Sequence, residues 1–276
     1  MPTIDLAGLK IRAVSVAGIE TCIEVPSWRL CFDIGKCPHS ATRWGTVLFT
    51  HGHLDHLGGV AQHVGTREMT GQKPPRYLLP REYAGGFARL MDAWRELNHS
   101  KLPCEVVPVG PGDRVSLGKG RTARVFRSVH RVPTCGYAVE QERRSLKPEW
   151  QGRPGPEIAA ARKRGEEVMF EHNSVELVFC GDTTIDVVER EAVVRQAKRL
   201  VLEATFLDDQ VSREWVRRSG HIHLEDICER ADLFENEAIL LTHFSQRYSA
   251  EQVREIVEAK LPAGLRERVQ VLVSGS

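Results

Sequence analysis

Short apolar runs, broken by Gly and Pro, recur along the first half of the chain. Runs of about four to eight residues rich in Val, Ile, Thr and Phe are typical of β-strands. They predict strands over Ile11–Val16, Thr21–Val25, Arg29–Ile34, Thr46–Thr50, Arg76–Leu79, Glu105–Val109 and Ala123–Val129. In the second half, similar runs predict strands over Val175–Phe179, Leu200–Glu203, Ala238–Thr242 and Val269–Val273.

Apolar residues at helical spacing lie between these strands. In Glu82–Leu97 they recur every three or four positions, which is typical of an amphipathic helix packed on a core. Helices are also predicted over Ile185–Ala197, His223–Phe234 and Ala250–Ala259. Strands interleaved with helices in both halves predict an α/β fold, in which two sheets pack face to face with helices outside.

The length of 276 residues fits one large domain or two small ones, and we expect a single domain, 1–276. The 38 basic and 37 acidic residues nearly balance, which excludes nucleic-acid binding by bulk charge but leaves room for a local basic patch. No apolar run approaches the roughly 20 residues of a membrane helix, so we expect no membrane partner. Met1–Lys10 lacks the pattern of a secretory signal, and the seven cysteines form no C-x-x-C pair. We therefore expect a cytoplasmic protein with reduced thiols.

One segment differs in composition from the rest. Gln141–Gly165 has seven basic and three acidic residues, and it contains Gly152-Arg153-Pro154-Gly155-Pro156, which breaks regular structure. Such a segment is either a solvated surface loop or a projecting arm that binds phosphates. Composition alone favours the loop.

The motif His51-Gly52-His53-Leu54-Asp55-His56 directly follows a predicted strand. In an extended segment residues i and i+2 point the same way, so His51 and His53 can bind one metal ion. Asp55 and His56 turn toward a different point as a helix begins near Asp55, which suits a second metal close by. Imidazole and carboxylate ligands favour zinc, with manganese or iron as substitutes.

Two ions need more ligands than this motif supplies. Three further candidates lie at or just after the ends of predicted strands, namely His130, Asp182 and His243. Taken singly, each is better explained as a cap or a hydrogen-bonded core residue. Taken with the first motif, they form an ordered set that matches the pattern of a known family.

That set resembles the metallo-β-lactamase superfamily. The chain is most similar to the tRNase Z branch, the endoribonucleases that remove the 3′ trailer from precursor tRNA. The similarity runs over most of the chain, 11–275, and is closest to the short form found in plants in Glu20–Pro38 and Phe206–His223. The motifs specific to the branch are His130 through Tyr137, Glu203-Ala204-Thr205-Phe206, Gly220-His221 and His243-x-Ser245-x-Arg247-Tyr248.

The resemblance implies a four-layer αβ/βα sandwich with two mixed sheets. It implies two Zn²⁺ per subunit, with Mn²⁺ or Fe²⁺ as possible substitutes. One zinc would be bound by His51, His53 and His130, the other by Asp55, His56 and His243, and Asp182 would bridge them.

The resemblance also implies how the reaction proceeds. Asp55 would orient the attacking hydroxide, and His221 would donate a proton to the leaving 3′-oxygen while Glu203 holds and charges its ring. Cleavage would leave a 3′-hydroxyl on the tRNA and a 5′-phosphate on the trailer. The expected partners are precursor tRNA and a second copy of the chain in a homodimer.

Two departures from the branch stand out. Many relatives have a second histidine where this chain has Leu202. The interval from His130 to Asp182 is also short, although longer relatives carry a flexible tRNA-binding arm there. We therefore interpret the basic segment 141–172 as a reduced arm whose contacts are made to the backbone and are salt-sensitive. The candidate RNA-binding residues are Arg143, Arg144, Lys147, Arg162, Lys163, Arg164 and Arg247.

Other candidate sites are less specific. Gly112–Lys119 resembles a phosphate-binding loop, but it has five residues between its glycines, and Gly120 stands where Ser or Thr is required. Asp33 is either a simple turn residue or, as often in the superfamily, a carboxylate that supports the metal site. The remaining histidines that lack a partner pattern are His39, His63, His99 and His172.

Three alternative functions remain at this point. A phosphodiesterase that acts on a small molecule through the same metal site is compatible with the reduced arm. An RNA-binding subunit without catalysis is disfavoured because all seven implied ligands and the Glu203–His221 pair are present. A β-lactamase or thioesterase is disfavoured because Glu203, His221 and Arg247-Tyr248 belong to the RNA-processing branch.

Overall fold

Two seven-stranded sheets form the centre of the computed structural model, which describes residues 1–273. The last three residues of the predicted domain 1–276 lie outside the described residues. In the first sheet the neighbouring strands follow chain order: β1 (Thr3–Leu6), β2 (Leu9–Val16), β3 (Glu20–Val25), β4 (Leu30–Phe32), β5 (Thr46–Leu48), β6 (Arg76–Pro80) and β7 (Glu105–Val109). Strands β1–β4 pair antiparallel and β4–β7 pair parallel, so the sheet is mixed.

The second sheet repeats this plan. It contains β8 (Arg114–Gly118), β9 (Arg121–Arg127), β10 (Cys135–Leu146), β11 (Met169–Phe179), β12 (Arg199–Glu203), β13 (Ala238–Thr242) and β14 (Val269–Val271). Strands β8–β11 pair antiparallel and β11–β14 pair parallel. Each sheet therefore has an antiparallel half followed by a parallel half.

Helices cover the outer faces of both sheets. Those of the first half are α1 (Leu54–Leu57), α2 (Val60–Met69) and α3 (Ala84–Asn98), and α4 (Gly155–Lys163) lies between β10 and β11. The rest are α5 (Asp186–Arg190), α6 (Ala192–Gln196), α7 (Arg213–Ser219), α8 (Leu224–Cys228), α9 (Ala250–Lys260) and α10 (Ala263–Arg266). None of these helices is long and apolar enough to cross a membrane.

Three apolar cores hold these layers together. Between the sheets, Phe32 packs against Tyr137 and Phe179, with ring centroids 6.3 and 5.2 Å apart. The outer face of the first sheet packs against α2 and α3, and that of the second sheet packs against α5, α6, α8 and α9. Burial of alternate residues along β2 is what a strand with one face toward this core requires. The prediction of two packed sheets with helices outside is confirmed.

Some element bounds differ from those predicted. The predicted helix Ile185–Ala197 is interrupted at Glu191, whose backbone is extended, and gives α5 and α6. The predicted helix His223–Phe234 is only α8 followed by a short 3-10 turn. Strands β1, β8 and β10 were not expected. Strand β10 is the largest omission, because its outer half is polar and exposed and therefore lacks an apolar strand pattern.

Segment 141–172 is more regular than a surface loop. Strands β10 and β11 pair antiparallel from Tyr137 with Phe179 to Leu146 with Met169, and α4 lies at the tip. The predicted break at Gly152-Arg153-Pro154-Gly155-Pro156 leads directly into α4, where Pro156 occupies the first turn. We call this hairpin and its helix, residues 141–172, the arm.

Candidate metal centre

The implied metal ligands lie together at one edge of the sandwich, near the carboxyl ends of the parallel strands. His51 and His53 follow β5, Asp182 follows β11, and His243 follows β13. Ligand sites in α/β folds usually occupy this edge. His243 adopts a left-handed backbone conformation with φ of 61°, a strain that is typical of functional positions.

The first ligand group consists of His51, His53, His130 and Asp182. These four side chains place one potential ligand atom each within 4.8 Å of one another. Nε2 of His51 lies 2.9 Å from Nδ1 of His53 and 3.8 Å from Oδ2 of Asp182. Both histidines therefore turn a ring nitrogen toward the same point.

The second ligand group consists of Asp55, His56 and His243. The Nε2 atoms of His56 and His243 lie 3.7 and 3.6 Å from Oδ2 of Asp55. The same two nitrogens lie 3.3 and 3.4 Å from Oδ1 of Asp182. Asp182 thus presents one oxygen to each ligand group, as expected of a bridging carboxylate.

Unpaired buried atoms show that a metal fits this site. The Nε2 atoms of His56, His130 and His243 are buried and have no hydrogen-bond partner among residues 1–273. An unpaired buried polar atom is costly, and a bound cation would remove that cost. Imidazole nitrogens with carboxylate oxygens are the donor set of zinc, iron and manganese sites.

A buried carboxylate supports the ligands of the first sheet. Oδ2 of Asp33 lies 2.8 Å from Nδ1 of His56 and accepts a bond of 2.8 Å from the Thr50 hydroxyl. That hydroxyl in turn lies 3.0 Å from Nδ1 of His51. Since the hydroxyl gives its proton to Asp33, it accepts one from Nδ1 of His51, which leaves Nε2 of that ring free for a metal. We call these four residues the Asp33 relay.

The second sheet repeats the arrangement around Glu203. Oε1 lies 2.9 Å from Nδ1 of His221, and Oε2 accepts a bond of 2.5 Å from the Thr205 hydroxyl. The hydroxyl lies 3.0 Å from Nδ1 of His243. Backbone amides of Thr183 and Ile222 also donate to the carboxylate, so it is fully paired although buried. We call Glu203, Thr205, His221 and His243 the Glu203 relay.

Burial and neighbouring charges set the pKa values at the site. Burial is the main cause that lowers the pKa of all three histidines of the first ligand group, which favours the neutral form that binds metals. Burial also acts to lower the pKa of His56, but Asp182 and Asp33 outweigh it and raise that pKa well above its ordinary value. Burial also acts to lower the pKa of His221, but the Glu203 carboxylate outweighs burial and raises that pKa to about 9.

Comparison with known proteins identifies the family, although no protein-family model matches the chain. The tRNase Z TRZ1 of Arabidopsis thaliana is 38% identical over 273 residues, which cover 98% of this chain and 97% of that protein. The chain belongs to the tRNase Z family.

Solved structures share the tRNase Z fold at lower identity. The metallo-β-lactamase fold protein YhfI from Bacillus subtilis has a TM-score of 0.64 and 14% identity, covering 96% of this chain and 97% of its own. The short form of human tRNase Z has a TM-score of 0.55 and 18% identity, covering 99% and 91%. The predicted metallo-β-lactamase sandwich is therefore confirmed.

Most basic residues of the arm are paired with acidic ones. Five pairs link Arg143 to Glu176, Arg144 to Glu171, Lys147 to Glu167, Arg153 to Glu157 and Arg164 to Glu166. The return half of the arm supplies three of these glutamates, so residues 141–172 contain six acidic against seven basic residues. Within residues 1–273, only Arg162 and Lys163 of the arm candidates have no carboxylate within 4.0 Å.

Arg247 lies apart from the arm, close to the Glu203 relay. Its guanidinium stacks over the Phe206 ring at 5.2 Å, and Phe206 lies 6.3 Å from the His221 ring. Arg247 is therefore the one candidate RNA-binding residue that the structure places beside the metal centre.

Sequence reasoning missed three supporting groups. Thr50 and Thr205 carry the relay hydroxyls, and the Gly220 carbonyl accepts a bond of 2.7 Å from Nδ1 of His130. A signal existed for the threonines, since Thr50 directly precedes His51 and Thr205 lies within a motif of the tRNase Z family. No sequence signal indicated the Gly220 carbonyl, because it is a backbone acceptor 90 residues away from His130.

Proposed function

We propose that this chain is a metal-dependent endoribonuclease that removes the 3′ trailer of precursor tRNA. The observation that carries the proposal is the Asp182 carboxylate, which faces two ligand groups at once beside the Glu203–His221 pair. Membership of the tRNase Z family supplies the substrate class. The products are a tRNA with a 3′-hydroxyl and a trailer with a 5′-phosphate.

We propose that two Zn²⁺ ions bind here, one in each ligand group, with Asp182 contacting both. Mn²⁺ or Fe²⁺ suits the same ligands. When bound, two divalent cations of this kind activate water and neutralise charge on a phosphoryl group. The two oxygens of Asp182 and the unpaired histidine nitrogens support this assignment.

Other side chains of the site orient the water and donate a proton. Asp55 accepts a hydrogen bond from the attacking water and so orients it, while its own Oδ2 is held by the Gly18 amide at 2.8 Å. As the P–O bond to the water oxygen forms and the P–O3′ bond breaks, His221 gives the proton on Nε2 to the leaving 3′-oxygen, and the proton that the water loses passes to solvent. Glu203 holds Nδ1 of that ring and stabilises its positive charge.

We also propose that the arm contacts the tRNA, that the protein forms a homodimer and that it acts in the cytoplasm. Arg162 and Lys163 support the first statement, because no carboxylate among the described residues pairs with them. Outward apolar side chains on α3, Leu90, Trp94 and Leu97, offer surface for a second copy. Seven free cysteines suit a reducing compartment.

A phosphodiesterase that acts on a small phosphodiester is the alternative function. The near-neutral charge of the arm favours it, because paired arginines and lysines attract an RNA backbone less strongly than free ones.

A cleavage assay separates the two functions. Purified protein is incubated with a 5′-labelled precursor tRNA that has a trailer, and the 3′ end of the product is mapped, with Asp55→Ala as control. A single cut directly after the discriminator base, absent in the variant, is the result expected of a tRNA 3′-processing enzyme. No cut in the RNA, with rapid metal-dependent hydrolysis of a small phosphodiester, would instead establish the alternative.

A further inference from the structure

A cleft with a volume of about 540 Å³ opens beside the metal centre. It is lined by the segment from Arg127 to Cys135, which connects β9 to β10 and contains His130. Arg190, at the end of α5, Glu82, before α3, and Pro111 complete the lining. The cleft adjoins the first ligand group, because His130 belongs to both.

Three arginines line this cleft: Arg127, Arg131 and Arg190. All three side chains are exposed. In the described part of the chain, no carboxylate lies within 4.0 Å of Arg127 or Arg131. Arg190 is 4.0 Å from Asp186, which also binds Arg217 at 2.6 Å and so is shared between two cations.

The charge of the cleft is thus not cancelled from within. Glu82 is the one acidic residue on its lining, against three guanidinium groups. The hydroxyls of Ser128 and Thr134 contact backbone carbonyls at 2.7 and 3.3 Å, which leaves the arginines as the principal free donors. Guanidinium forks suit phosphate oxygens in particular.

Arg131 links the cleft to the reaction site, because it directly follows His130. The His130 ring lies 5.2 Å from the His53 ring and 5.0 Å from the His221 ring. The backbone that carries Arg131 is therefore close to where the scissile phosphodiester must bind. The phosphates flanking that bond are the nearest anions available to Arg131.

The arm offers a useful contrast. It has more basic residues than the cleft, but five of them are paired with glutamates. Counterion release on RNA binding requires cations that are free to replace solution ions at the phosphates. By that criterion the cleft has the stronger electrostatic interaction to offer.

We propose that this cleft binds the phosphates of the RNA strand next to the scissile bond, through Arg127, Arg131 and Arg190. The proposal rests on the proposed function, because it assumes an RNA substrate. Contacts of this kind position the strand without reading its sequence.

A triple variant, Arg127→Gln, Arg131→Gln and Arg190→Gln, tests the cleft in the metal-loaded protein. The control variant, Lys10→Gln, Arg43→Gln and Arg254→Gln, removes three exposed cations that do not line the cleft. Binding is measured over a range of salt concentrations. The ligand is an acceptor-stem RNA with a trailer, in which a methylene group replaces the scissile 3′-oxygen so that it is not cleaved.

We expect the cleft variant to bind this RNA at least tenfold more weakly at low salt. Its plot of log affinity against log salt should be shallower by about 2, since each phosphate contact on a single strand contributes about 0.7. The metal content of the cleft variant should equal that of the parent, because none of the three arginines belongs to a ligand group. Equal affinities and salt slopes in the two variants would overturn the proposal.

The cleavage assay tests the proposed function, and the binding comparison tests the cleft. If the parent protein fails to cleave precursor tRNA, the proposed function fails. The binding comparison still decides whether the cleft recognises RNA phosphates.

Discussion

The Asp33 relay and the Glu203 relay are chemically alike but end in different environments. In each, a buried carboxylate holds one imidazole directly and a second one through a threonine hydroxyl. The ring that Asp33 holds directly is His56, whose side chain is 1% exposed and whose Nε2 faces two carboxylates. The ring that Glu203 holds directly is His221, whose side chain is 16% exposed.

This difference shows that a hydrogen bond to a buried carboxylate does not by itself define the role of a histidine. A buried nitrogen that faces carboxylates has no access to a leaving group, so it suits a metal ligand. A ring held in the same way at the surface of the site can exchange a proton with substrate and solvent. Exposure of the far side of the ring is therefore what distinguishes His56 from His221.

The largest effect is expected where the two relays meet, at Asp182. Asp182→Ala removes both oxygens that the ligand groups share, so the protein should lose both metals and about 10⁴-fold or more in RNA cleavage. Metal analysis of the purified variant, with exposed Asp209→Ala as control, measures the first effect. Two metals per chain in the Asp182 variant would contradict the bridging role.

The paired variants Asp33→Asn and Glu203→Gln test the comparison directly. Asp33→Asn should lower metal affinity about 10- to 100-fold, as loss of a supporting carboxylate usually does, and excess metal should restore its activity. Glu203→Gln should retain metal but slow cleavage about 100-fold or more, because His221 loses the group that stabilises its charge. Metal titrations followed by rate measurements provide both readouts. If excess metal fully restored the cleavage rate of the Glu203 variant, both relays would serve metal binding alone.

Much of this arrangement could be predicted because local sequence determines it. Strand periodicity places His51 and His53 on one side of the chain, and three other candidates lie close to the ends of buried strands. Parallel strands that end at one edge then bring these residues together. The fold class follows from such short-range patterns, whereas the assignment of all seven residues to one site came from the resemblance to the tRNase Z branch.

The rest depends on contacts between distant parts of the chain. The outer half of β10 is polar, and it becomes a strand only because β11 pairs with it more than 20 residues later. The same pairing brings Glu171 opposite Arg144, which reduces the charge that composition alone assigned to the arm. Local patterns contain no information about such partners.

Gly220 offers a smaller perturbation of the first ligand group. It has φ of +84°, and an added Cβ would lie 2.6 Å from Nδ1 of His130. Gly220→Ala should therefore displace that ring and lower metal occupancy, in addition to about 1–2 kcal/mol of backbone strain. Gly8→Ala is the matched control, since Gly8 has φ of +80° and a Cβ added there would meet no atom of the described residues within 4 Å. Equal stability and metal content in the two variants would show that His130 adjusts freely.

The smallest effects are expected from the relay hydroxyls. Thr50→Val and Thr205→Val keep the side-chain shape but remove the group that joins each carboxylate to its second histidine. Each change leaves an N–H and a carboxylate oxygen short of a partner, which costs about 1–3 kcal/mol, and each should weaken metal binding up to about tenfold.

Thr205→Val should also slow cleavage at saturating metal, because the Thr205 hydroxyl donates to the carboxylate that holds His221. Thr50→Val should not, since both histidines of its relay belong to the ligand groups. Thr→Ser at either position restores the hydroxyl and should restore metal affinity. Identical rates for the two valine variants at saturating metal would remove the distinction between a relay that serves ligands alone and one that also serves a proton donor.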